Sequence, residues 1–599
     1  MITYGNPNYQ YLNSLKPIKK FDNIKILSFD VETFGNENKF YMGSTYDGNN
    51  IKVFYDKEDM KKELLKTKYS DYKIFATNLE FDINALYQPF DGSWERFLVN
   101  GRYITVKYRT YKKDDYIDRT WLFLDTLTVA PMSVEQMGYT IGLPKLDKPS
   151  CLGEIPKDIF EKNELEKYNI RDTMITYNFM KFFNEALNKL GGRLQNTIAG
   201  CSMDIFRRKY MKHRLLQPDR DMILRMHEGY YGGRVEVFQI GYDTNKRYYD
   251  INSLYPFVMR NLFPDTNTIR FSDNPNERLL EYEGMSYVTM SCPDIEYPYL
   301  PVRRDKVIFP IGNIEGVYTH FEIRNALLLG YELLNMKWSI YYLKNIYLFD
   351  EFCNDLYSKR MEFASNKDVG MKYVTKILMN SLYGRFGLNI ENKNVGLLKT
   401  IPNNWTGKDV CKLPSDTVII WDENDNGYYS EKISRDEKIP AYVNPIISVY
   451  VTAYARNELY KLITKSKPIY CDTDSVVTDK ILDTSKKLGG LKKEYDIDEC
   501  WFLFPKAYRL IGKNEDGTPI DLVKWKGIPR SMRMDFWNNG FEVTFDKIIK
   551  TKEGLRRGLP VNTKVKMTKT LKTIYHKRQP IKEDFDYMND SSFTRPIKI

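Results

Sequence analysis

Histidine is scarce: four residues scattered through a chain of 599, which argues against a histidine-built metal centre. The seven cysteines include no C-x-x-C pair, so no zinc ribbon or disulfide framework is indicated, and the odd count suits reduced thiols in a cytoplasm. No uninterrupted apolar run reaches the ~20 residues that a membrane span requires. The opening stretch, MITYGNPNYQYLNSLKPIKK, lacks the apolar core of a secretion signal. No tract is biased enough in composition to suggest disorder. With imidazole and paired thiolate ligands so thinly supplied, any divalent metal would have to be held by carboxylates, which favours Mg²⁺ or Mn²⁺.

Charge and tyrosine are what the chain has in quantity. Its length exceeds what one core supports, so several domains are expected, and 42% hydrophobic with 28% charged residues is the balance of a folded protein. The formal net charge of +11 is unevenly spread. Residues 551–580 hold nine Lys or Arg (Lys552, Arg556, Arg557, Lys564, Lys566, Lys569, Lys572, Lys577, Arg578) against the single Glu553. Such a run is most often a solvated face. With 46 tyrosines available to stack on bases, a nucleic-acid partner accounts for both features.

Two sets of carboxylates stand out. YCDTDS, 470–475, places Asp472 and Asp474 on the same side of an extended strand end. By itself this reads as an acidic turn, since Asp and Thr are common turn residues. Far upstream, YYDINSLYP, 248–256, delivers Asp250 after an aromatic stretch and before a proline. Three carboxylates meeting there would hold two metal ions about 3.5–4 Å apart, the arrangement used for in-line phosphoryl transfer. Between them, MKYVTKILMNSLYGRFG, 371–387, reads as an amphipathic helix broken at Gly384. Lys372, Lys376, Asn380 and Tyr383 share one face, where lysines would meet a triphosphate and Tyr383 a base; a plain surface helix is the alternative. The second set lies in the N-terminal third: Asp30 and Glu32 in ILSFDVETFG, Asn78, Phe81 and Asp82 in TNLEFD, and Tyr168 and Asp172 in YNIRD.

The three segments D-x-x-S-L-Y-P (250–256), K-x-x-x-N-S-L-Y-G (376–384) and Y-C-D-T-D-S resemble motifs A, B and C of family B DNA polymerases, in that order. The resemblance implies Asp250 and Asp474 as principal metal ligands, with Asp472 supporting and the Ile251 carbonyl coordinating. Tyr255 would stack under the incoming sugar and exclude a 2′-hydroxyl, and Ser253 would lie along the DNA. Lys376 would bind the triphosphate, with Lys359 and Lys372 competing as a second cation and Asn380 and Tyr383 beside them. D-x-E, N-x-x-F-D and Y-x-x-x-D resemble the three motifs of proofreading 3′–5′ exonucleases. That implies metal ligation by Asp30, Glu32, Asp82 and Asp172, with Asp147 assisting, a water oriented by Tyr168 and phosphate charge met by Lys145. Thr33, Asn78, Phe81, Thr126 and Leu127 would contact the single strand. YYGG resembles an interdomain hinge in which Tyr230, Gly232 and Gly233 approach DNA. T-A-Y-A-R and K-A-Y resemble primer-template contacts by Thr452, Arg456, Lys506 and Tyr508.

The long gaps between motifs resemble the protein-primed DNA polymerases of small bacteriophages with linear genomes. The fold expected is α/β and α+β multidomain: a ribonuclease-H-like exonuclease over 1–195, then a right-hand polymerase with two insertions. Its palm would comprise 196–256 and 446–534, its fingers 357–386 and its thumb 535–599. An insertion over 257–356 would contact a terminal protein, and another over 387–445 would serve strand displacement and processivity. Implied partners are DNA primer-template, deoxynucleoside triphosphates and a terminal protein, paired as a heterodimer at initiation; the chain is otherwise a monomer. Two Mg²⁺ or Mn²⁺ ions would serve each active site, in the cytoplasm of a bacterial host. A conventionally primed polymerase is the alternative, and a non-catalytic binder of single-stranded DNA would be expected to have lost at least one of the seven acids.

Overall fold

The computed structural model describes residues 13–599 except 19–23, 88–93, 100–101, 112–116, 391–393, 398–416, 422–427, 433–438, 552–558, 560–561, 572–576, 583 and 585. Most of the expected second insertion, and Lys552, Arg556, Arg557 and Lys572 of the basic run, lie outside the described residues.

The N-terminal third is a mixed sheet. Strands Lys25–Phe34, Tyr72–Ala76 and Ile117–Asp125 pair in parallel, with Lys39–Tyr46 and Ile51–Phe54 antiparallel along one edge. Ile26, Leu27, Phe29 and Val31 are all buried, the near-continuous apolar run of a strand covered on both faces. The 31-residue helix Ile159–Lys189 packs on this sheet, started by Asp158, which accepts from the Phe160 and Glu161 amides. On the other edge, Arg102–Tyr111 and Trp94–Val99 continue the sheet, and strand Asn394–Leu397 joins it with Val395 opposite Leu98. Strands Tyr428–Lys432 and Thr417–Trp421 follow, so a segment from the second insertion lengthens the N-terminal sheet to ten strands.

The second large sheet is antiparallel, in the order Val235–Val237, Tyr470–Asp472, Ser475–Thr478, Gln239–Ile251, Leu491–Phe504, Ala507–Asn514, Pro519–Trp525. Helix Pro445–Ser466 packs against it, and helices Asp350–Ser365 and Val369–Phe386 pack on one another beside it. The helical pair therefore begins at Asp350, ahead of the expected 357. Gly384 does not break its second helix, which runs to Phe386: a Cβ at Gly384 would meet nothing within 4 Å, so this is a tolerated interior glycine.

The first insertion is a closed module. Its entry and exit strands, Leu262–Pro264 and Asn345–Tyr347, pair with each other. Beyond that neck lies a four-stranded antiparallel sheet of Ile269–Ser272, Glu332–Tyr342, Glu283–Cys292 and Gly312–Thr319, followed by helix His320–Leu328.

The segment expected as a single thumb, 535–599, divides. Glu542–Ile548 pairs with Lys564–Thr570 as a separate ribbon, whereas Ser591–Arg595 returns to pair with Gln239–Gly241 in the central sheet. The Ile311 and Ile599 amides then each donate to the opposite stretch, to Ile597 and Ile311 respectively, at 3.0 Å. Arg578 belongs to this return and not to a basic surface. It is buried with Arg234 around Glu236, whose carboxylate accepts from Arg234 Nε at 2.6 Å. The Arg578 guanidinium approaches the same carboxylate at 4.0 Å. One hydrophobic core joins the first sheet to the central one, containing Phe75 and Leu124 from the first sheet and Phe179 from the long helix with Leu378, Ile447 and Val476. At ~1.5–3 kcal/mol per fully buried large apolar side chain, separating the two halves would be costly.

Candidate active sites

The Gln239–Ile251 strand carries Asp250 to its end, in register with Ser475. The facing hairpin turns through Thr473 and Asp474, and the Ile251 amide donates to the Asp474 carbonyl at 2.7 Å. Thr473 adopts φ 61°, a left-handed conformation unfavourable for a β-branched residue. Its amide is held by the Arg234 carbonyl (2.8 Å), and its hydroxyl donates to Asp472 Oδ1 (3.1 Å). Ser253 (φ 51°) and Lys506 (φ 66°) are left-handed too, so three strained non-glycine residues surround these acids.

Burial pushes Asp250 up to about 7, with Asp474 and Glu494 adding to it and Lys376 and Lys492 opposing. Burial and then Asp472 push Asp474 up to about 6, against Lys506 and Lys524. Lys506 Nζ lies 3.2 Å from Asp472 Oδ1, so Lys506 neutralises the supporting aspartate. Tyr255 stacks on Tyr383 at 4.8 Å between centroids and 10° between planes, joining motif A to the helical pair; Asp474 acts on both phenols. Lys372, Lys376 and Asn380 form an exposed stripe on the helix bearing Tyr383.

A cavity of about 780 Å³ opens beside motif A, lined by Asn252, Arg360, Lys372, Lys486 and Lys492 among others. Arg360, missed in the sequence, donates to Ser253 Oγ at 2.8 Å. Lys359, which competes with Lys372 as the second cation, is paired with Asp355 at 2.5 Å alongside Lys209 and does not line the cavity, whereas Lys372 does.

Five expected DNA contacts, Thr33, Thr126, Thr452, Arg456 and Tyr508, are buried. Arg456 is buried, its Nη2 2.6 Å from the Glu322 carboxylate of the first insertion and its Nη1 donating to the Tyr231 carbonyl at 2.8 Å. Tyr508 is buried beneath the hairpin against Tyr470 and Phe502, where no base could reach it. Thr452 is buried too, its hydroxyl donating to the Val449 carbonyl. The YYGG glycines differ from one another: a Cβ at Gly232 would meet nothing within 4 Å, but one at Gly233 would stand 2.9 Å from Thr473 Cγ2. Gly233 therefore makes room for the turn that carries Asp472 and Asp474. Tyr230, half-buried, lies close enough for the Tyr255 phenol to act on it.

The second site gathers Asp30 and Glu32 from one strand, Asp82 from helix Leu79–Leu86 and Asp172 from the long helix. Burial raises Asp30 well above its ordinary value, with Asp82, Glu32 and Asp172 adding to it. Burial, then Asp172, brings Glu32 to about 7. Burial also raises Asp82 strongly, although Oδ1 accepts from the Val31 amide at 3.0 Å. Asn169, one helical turn from Asp172 and missed in the sequence, donates to Asp30 Oδ2 at 2.8 Å. Lys145 pairs with Asp172 and sits 4.4 Å from the Tyr168 ring centroid. Burial would lower Lys145, but its bond to Asp172 outweighs that and keeps it cationic; burial keeps the Tyr168 phenol protonated. Asn78 is left-handed at the helix start (φ 68°), and its amide and that of Leu127 both donate to Asp125 Oδ1. The Thr126 hydroxyl donates to Thr77. Asp147 is exposed, whereas the charges acting on Asp30 are its carboxylate neighbours and Lys145.

Both sets suit a hard divalent cation. Their donors are carboxylate oxygens, their burial and mutual repulsion leave negative charge undercompensated, and Asp172 Oδ1 is buried without a hydrogen-bond partner. Among the described residues no three His, Cys, Asp or Glu side chains already form a metal-binding group, so the fit rests on donor chemistry and electrostatics.

Comparison with known proteins agrees with this architecture. The structure superimposes on phi29 DNA polymerase complexed with primer-template DNA with a TM-score of 0.69 at 18% identity, covering 92% of this chain and all of that one. In sequence, the chain is 26% identical over 605 residues to a probable DNA polymerase of Neurospora intermedia, covering 85% of this chain but only 61% of the relative. It is 23% identical over 508 residues to the DNA-directed DNA polymerase of Enterobacteria phage PRD1, covering 81% of this chain and 83% of that one. The family described as DNA polymerase type B, organellar and viral, matches across residues 154–469, more than half the chain, and the chain belongs to that family.

Proposed function

We propose that the chain is a DNA-templated DNA polymerase with a 3′–5′ proofreading exonuclease, initiating on a terminal protein and displacing the strand ahead of it. The observation that carries this reading is the meeting of three chain-distant segments at one place: Asp250 beside the Asp472–Asp474 hairpin, with Tyr255 stacked on Tyr383. Mg²⁺ or Mn²⁺ bound by Asp250 and Asp474, and by Asp30, Glu32, Asp82 and Asp172, would supply the positive charge that phosphoryl transfer needs. Asp472 supports Asp250 and Asp474 from the turn it shares with Asp474, its carboxylate held by Lys506. Lys376 and Asn380, with Lys372 and Arg360 on the adjoining cavity, offer cations and a donor to a triphosphate, and Tyr255 closes the sugar side. At the second site Tyr168, retaining its proton, orients a water, and Lys145 meets the developing phosphate charge.

Initiation on a protein hydroxyl is supported by the closed first insertion, a separate sheet on a two-stranded neck beside the polymerase site. Strand displacement is supported by the second insertion's strands, which bridge from the polymerase to the exonuclease sheet. The test is extension of a primed circular single strand with Mg²⁺ and deoxynucleotides, with no clamp or helicase. Product many times the template length is expected; arrest after one circuit would remove displacement and leave the polymerase reading. Asp474→Ala should stop synthesis and spare degradation of a single strand, and Asp30→Ala with Glu32→Ala should do the reverse. Loss of both activities in either variant would refute two independent sites.

A further inference from the structure

The helix that carries Asp82 is fastened by residues from the far end of the chain. Thr551 donates through its amide and its hydroxyl to the Glu80 carboxylate, at 2.8 and 2.9 Å. The same hydroxyl oxygen accepts from Asn84 Nδ2 at 2.8 Å and from the Tyr103 hydroxyl at 3.2 Å. Eleven positions later Asn562, left-handed at φ 62°, donates from Nδ2 to the Phe81 carbonyl at 2.9 Å. Its own carbonyl accepts from Asn38 Nδ2 at 2.5 Å, and Asn38 Oδ1 accepts from Thr33 at 3.3 Å. Thr551, Asn562 and Asn38 are all buried.

These bonds end at residues flanking the acids. Phe81 precedes Asp82, Thr33 follows Glu32, and Glu80 and Asn84 lie on the same short helix, Leu79–Leu86. That helix has a left-handed N-cap and no side-chain cap of its own, so its first turn takes its orientation from outside. We propose that Thr551 and Asn562 are positioning residues for the exonuclease site. They set where Asp82 and Glu32 stand without touching the substrate. The inference rests on the exonuclease reading above and makes hydrolysis dependent on a segment lying after the polymerase motifs.

The test uses the full chain, a 5′-labelled short single-stranded oligonucleotide and Mg²⁺, with kcat and KM for nucleotide release. Asn562→Gly keeps the left-handed backbone and its carbonyl acceptor but removes the donor to Phe81. Thr551→Val removes the hydroxyl at nearly constant shape, and Thr551→Ser restores it. The expectation is that Asn562→Gly and Thr551→Val each lower kcat tenfold or more with KM within twofold, that Thr551→Ser stays within twofold of the unaltered chain, and that primer extension is unchanged in all three. Unchanged kcat would overturn the proposal. A rise in KM alone would also overturn it, by making the segment part of the strand-binding surface, as would parallel loss of extension and hydrolysis with a lowered melting temperature. No hydrolysis by the unaltered chain would overturn the exonuclease reading, and this proposal with it.

Discussion

Gly233→Ala isolates the contact between the YYGG segment and the turn that carries Asp472 and Asp474. The glycine's backbone lies outside the left-handed region, so the substitution acts through the added methyl alone. That methyl would stand 2.9 Å from Thr473 Cγ2, 3.1 Å from its Oγ1 and 3.3 Å from its Cα. Relief requires the Thr473 side chain to retreat by ~0.5 Å to reach ordinary van der Waals separation. That retreat pulls its hydroxyl from Asp472, and a left-handed residue anchored to the Arg234 carbonyl has few ways to comply. Since a ~1 Å misplacement of reacting groups costs on the order of 10²-fold, a displacement half as large should cost about tenfold, ~1.4 kcal/mol of transition-state stabilisation. The assay is single-nucleotide incorporation on a saturating primed template, with single-strand degradation measured in parallel as an internal control of folding. Gly232→Ala, whose methyl meets nothing, is the paired control. Incorporation unchanged in Gly233→Ala, or reduced equally by Gly232→Ala, would refute the steric argument.

Removing the aromatic wall in Tyr255→Val should raise ribonucleotide incorporation while leaving single-strand degradation unchanged; unaltered discrimination in a competition assay would detach Tyr255 from sugar selection. Glu322→Gln leaves the Arg456 guanidinium buried without its counter-charge, and destabilisation of about 3–5 kcal/mol is expected in denaturant unfolding; a change under about 1 kcal/mol would mean that other groups satisfy Arg456. His320 is buried with Nδ1 donating to the Tyr282 carbonyl and Nε2 facing Ser286, and burial lowers it to about 4 from 6.5. Between those values the unfolded chain binds a proton that the folded chain refuses, so acidification from pH 7 to 4 should cost about 3 kcal/mol through this group. His320→Gln should flatten that acid limb, and melting curves that fall in parallel with those of the unaltered chain would exclude the histidine.

The acids were legible because their spacing is local. Asp30 with Glu32 follows from strand alternation and Tyr168 with Asp172 from one helical turn, so the chain's own geometry puts each pair together. The stripe of Lys372, Lys376 and Asn380 was legible for the same reason. What could not be read was direction. Arg456, Tyr508 and Arg578 carry the chemistry of nucleic-acid contacts, yet each points inward because its partner comes from another module: Glu322 for Arg456, Tyr470 and Phe502 for Tyr508, Glu236 for Arg578. No periodicity reports a partner 134 positions away. Arg360 escaped for a related reason, since only the fold separates it from Lys359 in aiming at Ser253.

The return of Ser591–Arg595 to the central sheet bears on how the chain matures as it is made. A nascent chain can complete the parallel core of its first sheet soon after the long helix ending at Lys189 has emerged. The central sheet waits for strands drawn from both ends of the remaining sequence, a topology rich in distant contacts and slow to form. At roughly 5–20 residues per second, the roughly 400 residues in between take ~20–80 s to synthesise. Until those late residues are made, the Gln239–Gly241 edge lacks its neighbour and Phe81 lacks Asn562. The helix that carries Asp82 therefore reaches its final setting only after every segment between it and Asn562, the three polymerase motifs included, has been made.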